Sequence, residues 1–472
     1  MAKNSCAANN RHEIMKKQRK EIDMISELPD ELLIRILSLL PDADATRSRI
    51  LSNRWKHLWA FLPNLHFVMP PFIEQVNKFN DSVDQILALR IGFPIRKLFL
   101  QCSYDGDNYR FNNSFSIVSR YKVDCRVYNW FSIVSQCKVE EIEYRFLADD
   151  TYDVKFHWNL SITFNTLTKL TLKGVVLGAP IDEIPFPCLK TLILQCTEHY
   201  DTHWLMSLIS RCPVLEELCL DWPRLTCKAG IVKLCSRSMR RLTIKRSKFK
   251  DQELVIDAPK LEYLHLFACF FRKYTLMSPT SVVEAYISYS QYHNVIKLLR
   301  CIPSTKILTL TRESLFTLGA RRSKNMPMFP NLVELEIPWV LNLFLILLSN
   351  MPNLEYLTFS DGHLPFGMNW DPTMEEASAC LRFKLKEIFV VSYVKREEFA
   401  ILSYLLKHAN NLEKLTIGKV DPERRGSWLN IHRASKSCRI EFVVIGCSLG
   451  AKPSRSFCFV PCICRTLSPS SI

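Results

Sequence analysis

The residues from which this chain could build a reactive centre are its 11 histidines and 18 cysteines, and their spacing argues against one. His199 and His203 stand four apart, the interval that puts two imidazoles on one helix face for zinc. However, Thr202 precedes His203, and the glutamate that a metalloprotease helix needs next to its first histidine is missing. His12, His57 and His265 are scattered. No G-x-S-x-G elbow or phosphate loop occurs, and 12 glycines are few for a nucleotide-binding design. The cysteines form no paired C-x-x-C ligand set. Cys458, Cys462 and Cys464 can bind metal or accept a lipid, or simply belong to a disordered tail. The expectation is a chain with no catalytic residue, no cofactor and no metal, whose function lies in what its surfaces bind.

A chain of 472 residues, 48% of them hydrophobic, is folded and too long for one small module, so two or more domains are expected. Its longest apolar run, Trp339 to Leu348, is broken by Asn342 and is half the ~20 residues a membrane span requires, so no membrane partner is expected. The N-terminal stretch MAKNSCAANNRHEIMKKQRK lacks an apolar signal core. A reducing location in the nucleus and/or cytoplasm is therefore expected, with the cysteines as thiols and many of them packed as small hydrophobes. The net charge of +15 raises nucleic acid as a partner, with Arg237, Arg240, Arg241, Lys245, Arg246, Lys248 and Lys250 as the densest run. No nucleic-acid-binding signature accompanies that charge, which is spread along the whole chain. Lys16, Lys17, Arg19 and Lys20 read either as a nuclear address or as a solvated basic arm.

The most informative stretch lies near the N-terminus. Leu32, Leu33, Ile36, Leu37, Leu39 and Leu40 recur at helical spacing but cover more surface than one amphipathic stripe needs, so some of it should face another protein. Pro29 suits a first helical turn, and Asp30 and Glu31 suit the positive end of the helix dipole. Pro41 should stop that helix, and Asp42 and Asp44 should open a second through Ala45, Ile50 and Leu51. Ser52 can cap a third, whose face carries Trp55, Leu58, Trp59 and Leu62. Together, LPDELLIRILSLLP followed by LSNRWKHLWAFLPNLHF resembles the F-box of plant F-box proteins. The resemblance implies docking onto the adaptor subunit of an SCF-type cullin–RING ubiquitin ligase through Leu28, Pro29, Leu33, Ile36, Leu37, Leu40, Leu51 and Trp55. Thr46 and Arg49 replace the apolar and small residues usual in the family, and Asp42 or Ala43 stands where Lys is common. The resemblance therefore specifies the type of adaptor and leaves its affinity open.

Beyond this module the chain repeats L-x-x-L-x-L, as Leu167, Leu170, Leu172, then Leu189, Leu192, Leu194, then Leu215, Leu218, Leu220, and again from Met239, Leu261, Leu332, Leu354 and Leu412. Weaker copies begin at Ile95, Val139, Val282, Thr305 and Leu385. The tighter intervals fall in the ~20–29-residue window of leucine-rich repeats. Alternate leucines of a short strand point to one side, the residue three earlier fills the same core, and stacked strands make a parallel sheet in which no unit buries its own leucines. Pro213, Pro259, Pro330 and Pro352, each two residues before a first motif position, set the turn into the strand, and the C-P-x-L-E-x-L form at Cys212 resembles plant F-box repeat proteins. Near the C-terminus, KLKEIFVVSYVKREEFAILSYLLKHANNLEKLTI from Lys384 and RASKSCRIEFV from Arg433 resemble the FBD region of those proteins. That stretch predicts a strand at Leu385 to Val391, an amphipathic helix through Phe399, Leu402, Leu405 and Leu406, and strands near Leu415 and Phe442, an arrangement able to close a solenoid end.

The expected fold is α/β: a three-helix F-box followed by a right-handed leucine-rich-repeat solenoid, with parallel strands alternating with helical or irregular turns. Residues 1–21 are expected to form a basic arm, 22–67 the F-box and 68–94 a linker or first helical turn. The repeats should occupy 95–383, the FBD-like region 384–446 and a tail 447–472. The resemblance implies a non-catalytic substrate receptor, linked through its adaptor to cullin and RING subunits and holding an unknown target protein. Residues interleaved between the strand leucines should form the concave target face, with Arg241, Lys245, Tyr263, His265, Phe267 and Tyr286 as candidate contacts and Glu334 and Glu336 further along. A non-degradative F-box repeat scaffold, and behind it a basic nucleic-acid-associated scaffold, are the alternatives.

Overall fold

The computed structural model describes residues 25–442 apart from 26, 41, 52, 59–60, 71–72, 105–114, 149–155, 159–161, 178–185, 196–197, 200–201, 222–229, 247–251, 270, 278–280, 289–294, 320–325, 340–343, 361–377, 395, 420–427 and 429–430. The basic arm, the tail with Cys458, Cys462 and Cys464, and the expected helix stop, cap and packing residues Pro41, Ser52 and Trp59 lie outside the described residues. The chain divides into two compact units between Ile302 and Pro303.

The first unit opens with helices α1 (Asp30–Ser38), α2 (Asp42–Arg47) and α3 (Asn53–Leu58), with a 3-10 turn at Ser48–Ile50. Pro29 stands just before α1, where its missing N–H costs nothing, and its carbonyl accepts the N–H groups of Leu32 and Leu33 at 3.1 Å each. Leu33, Leu37, Ala45, Trp55 and Leu58 are buried in this module. Arg54 ties α3 to the start of α1. Its Nε and Nη2 lie 3.0 and 2.6 Å from Asp30 Oδ1, and Nη2 also donates to the Leu28 carbonyl at 2.6 Å.

A parallel sheet follows, its strands neighbours in chain order: β1 (Asn64–Val68), β2 (Lys97–Tyr104), β3 (Glu141–Ala148), β4 (Lys169–Lys173), β5 (Thr191–Gln195), β6 (Glu217–Asp221), β7 (Arg241–Lys245), β8 (Tyr263–Phe267) and β9 (Glu284–Ser288). The motif residues Leu215, Leu218 and Leu220, and Leu261, Leu264 and Leu266, are fully buried, while the residues between them are half-buried or exposed. The prolines act as expected. Leu215 N–H donates to the Cys212 carbonyl across Pro213 (3.2 Å), and Leu261 N–H to that of Ala258 across Pro259 (3.1 Å), so a fixed φ sits second in each turn. Gly174, at φ +70°, follows β4 where a Cβ would lie 2.0 Å from the Phe146 carbonyl oxygen, so only glycine lets the chain pass there.

Two features depart from the expected layout. The sheet begins at Asn64 and not at Ile95, because Leu62, Leu65 and Phe67 repeat the motif with Phe in its last place and are all buried. Residues 68–94 accordingly hold helix α4 (Ile73–Arg90), the return arm of a repeat that starts inside the F-box segment. Helices α5 (Phe115–Gln136), α6 (Thr202–Ser210) and α7 (Val295–Arg300) serve other return arms, but some arms are strands. Phe156–Trp158, Val175–Leu177 and Glu198–His199 pair in one parallel ribbon, and Ile231–Cys235, Glu253–Asp257 and Lys273–Leu276 in another. In Ile231–Cys235 burial alternates residue by residue, the period of a strand.

The second unit has the same plan, with β10 (Ile307–Leu310), β11 (Glu334–Ile337), β12 (Tyr356–Phe359), β13 (Glu387–Tyr393), β14 (Lys414–Lys419) and β15 (Arg439–Phe442) paired in parallel. Its helices are α8 (Arg312–Gly319), α9 (Phe344–Ser349), α10 (Ala379–Phe383) and α11 (Arg396–His408). The FBD-like segment supplies β13, α11, β14 and β15, and so continues the sheet by three strands. Leu402, Leu405 and Leu406 of α11 are buried, and Phe399 meets Trp428 edge to face at 4.7 Å.

Candidate adaptor and target surfaces

The F-box leucines divide into two sets. Leu33, Leu37 and Trp55, expected to face the adaptor, are 0%, 1% and 5% exposed. Leu33 and Leu37 are one turn apart on α1 and point inward, so all three hold the module together. Ile36, Leu40 and Leu51 are exposed as expected, with Pro29 exposed and Leu28 half-buried beside them. Leu32, Leu39 (79% exposed) and Ile50 (83%) belong to this outer set but were not among the expected contacts. For Leu32 and Leu39 the signal was a second stripe at i, i+4, i+7 and i+8, formed by Leu32 and Ile36 on α1 with Leu39 and Leu40 just past its end, whereas Ile50 lies in the 3-10 turn. Of the two departures from the family pattern, the side chains of Thr46 and Arg49 lie outside those described.

On the sheet of the first unit the structure brings the expected aromatic residues together. Tyr263 and His265 of β8 share a hydrogen bond between the phenol and Nδ1 at 3.0 Å. The His265 ring lies 4.2 Å from that of Tyr286 on β9, Phe267 lies 6.3 Å from the same tyrosine, and the Arg241 guanidinium sits 4.8 Å above the Tyr263 ring. Burial, helped by the nearby Lys245 charge, pushes the His265 imidazole down to about 4, so it is neutral at physiological pH. Burial and the nearby Glu284 carboxylate push the Tyr263 phenol up to about 12. The site is thus a neutral aromatic cluster bordered by the cations of Arg241 and Lys245 and, beside Tyr263, by Glu284.

Two cations of the basic run around it are paired with carboxylates: Arg240 with Glu262, and Arg246 with Asp221 through two bonds of 2.7 Å. Lys248 and Lys250 lie outside the described residues. A second cluster escaped notice in the sequence. His66 of β1 stacks on Phe99 of β2 at 4.3 Å, and the Arg145 guanidinium of β3 lies 5.0 Å from the Phe99 ring. Arg145 Nε donates to Glu143 at 2.8 Å. The first strand of this cluster lies inside the F-box segment, where the sequence pattern does not separate it from the helices. In the second unit, burial and the neighbouring Glu334 raise the Glu336 carboxyl, partly offset by a hydrogen bond with Thr309.

The described cysteines are free thiols. Burial drives Cys212 to about 12 and Cys219 to about 11, so neither is a ready nucleophile. Among the described residues no group of three or more His, Cys, Asp or Glu is placed to hold a metal, and no helix is long and apolar enough to cross a membrane. The side chains of His57, His199 and His203 lie outside those described.

A helical module with an apolar outer face, joined to a leucine-lined parallel sheet, is the build of an F-box/leucine-rich-repeat protein. Residues 25–67 match the F-box domain family, and residues 127–286 match the family described as FBD-associated F-box protein At5g56370, LRR repeats. F-box/LRR-repeat protein At2g42720 of Arabidopsis thaliana is 30% identical over 469 residues, covering 89% of this chain and 100% of that protein. F-box/LRR-repeat protein 13 and FBD-associated F-box protein At1g66310, also of Arabidopsis thaliana, are each 27% identical, over 84% and 90% of this chain and 90% and 97% of their own lengths. The chain belongs to the plant F-box/leucine-rich-repeat family and carries its FBD-like region.

Proposed function

We propose that this protein is the non-catalytic substrate-recognition subunit of an SCF-type cullin–RING ubiquitin ligase. The observation that carries the reading is the outer face of the F-box helices. Leu32, Ile36, Leu39, Leu40, Ile50 and Leu51 stay exposed although the module's own core is filled by Leu33, Leu37, Trp55 and Leu58. Apolar area of that kind gains roughly 1.5–3 kcal/mol per side chain when a partner covers it. The adaptor is that partner, and through it come the cullin and RING subunits. A target protein then binds the open face of the repeat sheet, around Arg241, Lys245, Tyr263, His265, Phe267 and Tyr286. Ubiquitin transfer is the work of the recruited E2, and this chain contributes proximity and orientation. Such a receptor operates in the nucleus and/or cytoplasm.

The test is co-purification of the full chain with the adaptor, followed by ubiquitination reconstituted with the cullin, RING and E2 components. Loss of adaptor capture in a folded Leu39→Asp, Ile50→Asp variant is the expected result. Unchanged capture would defeat the proposal, and capture without ubiquitination of any bound target would leave the non-degradative scaffold as the better description.

A further inference from the structure

The nine strands of the first sheet pair without a shift in register along one middle row. His66, Phe99, Glu143, Thr171, Ile193, Cys219, Thr243, His265 and Tyr286 are successive partners from β1 to β9. Aromatic clusters occupy both ends of this row, His66 on Phe99 at one and His265 on Tyr286 at the other. Between them the row is uncharged from Thr171 through Ile193 and Cys219 to Thr243. Lys169 and Lys173 of β4 and Arg241 and Lys245 of β7 stand in the two flanking rows. Glu217 also flanks the row, as do Glu141 and Glu284 nearer its ends, whereas Asp221 is neutralised by Arg246 and Glu143 by Arg145, so the excess of positive charge lies over the middle of the row. Among the described residues Lys173 has no carboxylate partner.

We infer that this row is a track for an extended, carboxylate-rich peptide that crosses the strands and places one aromatic side chain in each end cluster. The spacing follows from strand geometry. Six strand intervals of ~4.8 Å separate Phe99 from His265, about 29 Å, which an extended chain at ~3.3 Å per residue covers in about nine residues. Aromatic ends supply anchoring and the flanking lysines select acidic residues between them. The inference rests on the target-binding reading above but not on the adaptor, so the two can fail separately.

The experiment uses the full chain, alone or with its adaptor, and fluorescence anisotropy with a labelled synthetic peptide. That probe is about eleven residues long, with tryptophans about eight positions apart and glutamates between them. Matched probes have the tryptophans about four apart, the glutamates replaced by glutamine, or phosphoserine in place of glutamate. The long acidic probe should bind at least about tenfold more tightly than the short-spaced and glutamine probes. Phe99→Ala and Tyr286→Ala should each weaken it several-fold, and Lys173→Glu with Lys245→Glu should weaken it at least about tenfold and flatten its salt dependence, with thermal unfolding unchanged. Equal binding of the short-spaced probe, indifference to charge reversal, or no binding by any probe would overturn the track. Strong preference for phosphoserine would overturn the carboxylate assignment. Adaptor capture measured on the same variants reports on the docking proposal separately.

Discussion

The F-box and the repeat sheet are both built from leucine, and they use it in opposite ways. In the repeats the strand leucines such as Leu192, Leu218 and Leu264 are fully buried, and the residues alternating with them are mainly polar, charged or aromatic. In the F-box the same residue type sits on both sides of α1 and of the turn that ends it, with Leu33 and Leu37 inside and Leu32, Leu39 and Leu40 outside. A repeat gains its core from the next repeat of the same chain. Among the described residues no second layer of this kind covers the outer leucines of the F-box, and on the docking proposal the adaptor covers them. Leucine content alone therefore does not separate cohesion from docking; the face each leucine occupies does.

The strongest challenge to that contrast is truncation on the inner side. Leu218→Ala and Leu264→Ala should each cost roughly 2–5 kcal/mol of stability, measured by denaturant unfolding, because a cavity remains in a core that cannot collapse onto solvent. Leu37→Ala should behave like them and loosen the F-box itself, so its loss of adaptor binding would be indirect. If Leu37→Ala left unfolding unchanged while abolishing adaptor capture, the inner and outer assignment on α1 would be reversed.

Charge on the outer side should do the opposite. Leu39→Asp with Ile50→Asp should weaken adaptor binding by well over tenfold while leaving stability within about 0.5 kcal/mol, since both side chains are already in solvent. An equal drop in melting temperature for these variants and for Leu218→Ala would erase the distinction between the two regions.

A smaller effect probes the open face of the sheet. Folded His265 resists protonation until about pH 4, whereas the unfolded chain takes up that proton near 6.5. Between these values the unfolded state binds the extra proton, so stability falls as pH falls through the window and this contribution levels off below about 4. At ~1.4 kcal/mol per pKa unit the loss is at most about 3.5 kcal/mol. His265→Gln should remove that part of the pH slope, and an identical slope in wild type and variant would show that the imidazole is not desolvated. Lys173→Ala should be the mildest change, within about 0.5 kcal/mol, because its side chain borders solvent and ends a strand.

Much of this was legible in the chain. Each of the expected first motif positions, weak copies such as Val139, Val282 and Thr305 included, proves buried beside a strand, because the L-x-x-L-x-L spacing reports directly which residues line the shared core. What escaped was the side of the helix and the start of the sheet. On α1 the inner pair Leu33 and Leu37 and the outer pair Leu32 and Ile36 are all apolar, so periodicity gives two stripes and no means of choosing between them; only burial in the folded module decides. The cluster of Tyr263, His265 and Tyr286 follows from alternate positions between strand leucines, whereas His66, Phe99 and Arg145 carry no such signal because the motif Leu62, Leu65 and Phe67 lies inside the F-box segment. Arg54, which fixes α3 to Asp30, carries no motif signal, since its role depends on a contact between residues far apart in sequence.

The strand at Asn64–Val68 has a consequence for how such chains can be cut and rejoined. All of it but Val68 falls within residues 25–67 that match the F-box family, yet its backbone is bonded to Lys97–Gln101. A graft that exchanges F-boxes at residue 63 keeps this rung, whereas a splice at residue 69 replaces it with a foreign one. Omitting it leaves Lys97–Tyr104 as a raw sheet edge, open to pairing with other chains. Swapped receptors joined beyond Val68 should therefore remain soluble only when the donor strand carries apolar residues at the places of Leu65 and Phe67, which makes these two side chains the compatibility test for shuffling heads among repeat bodies.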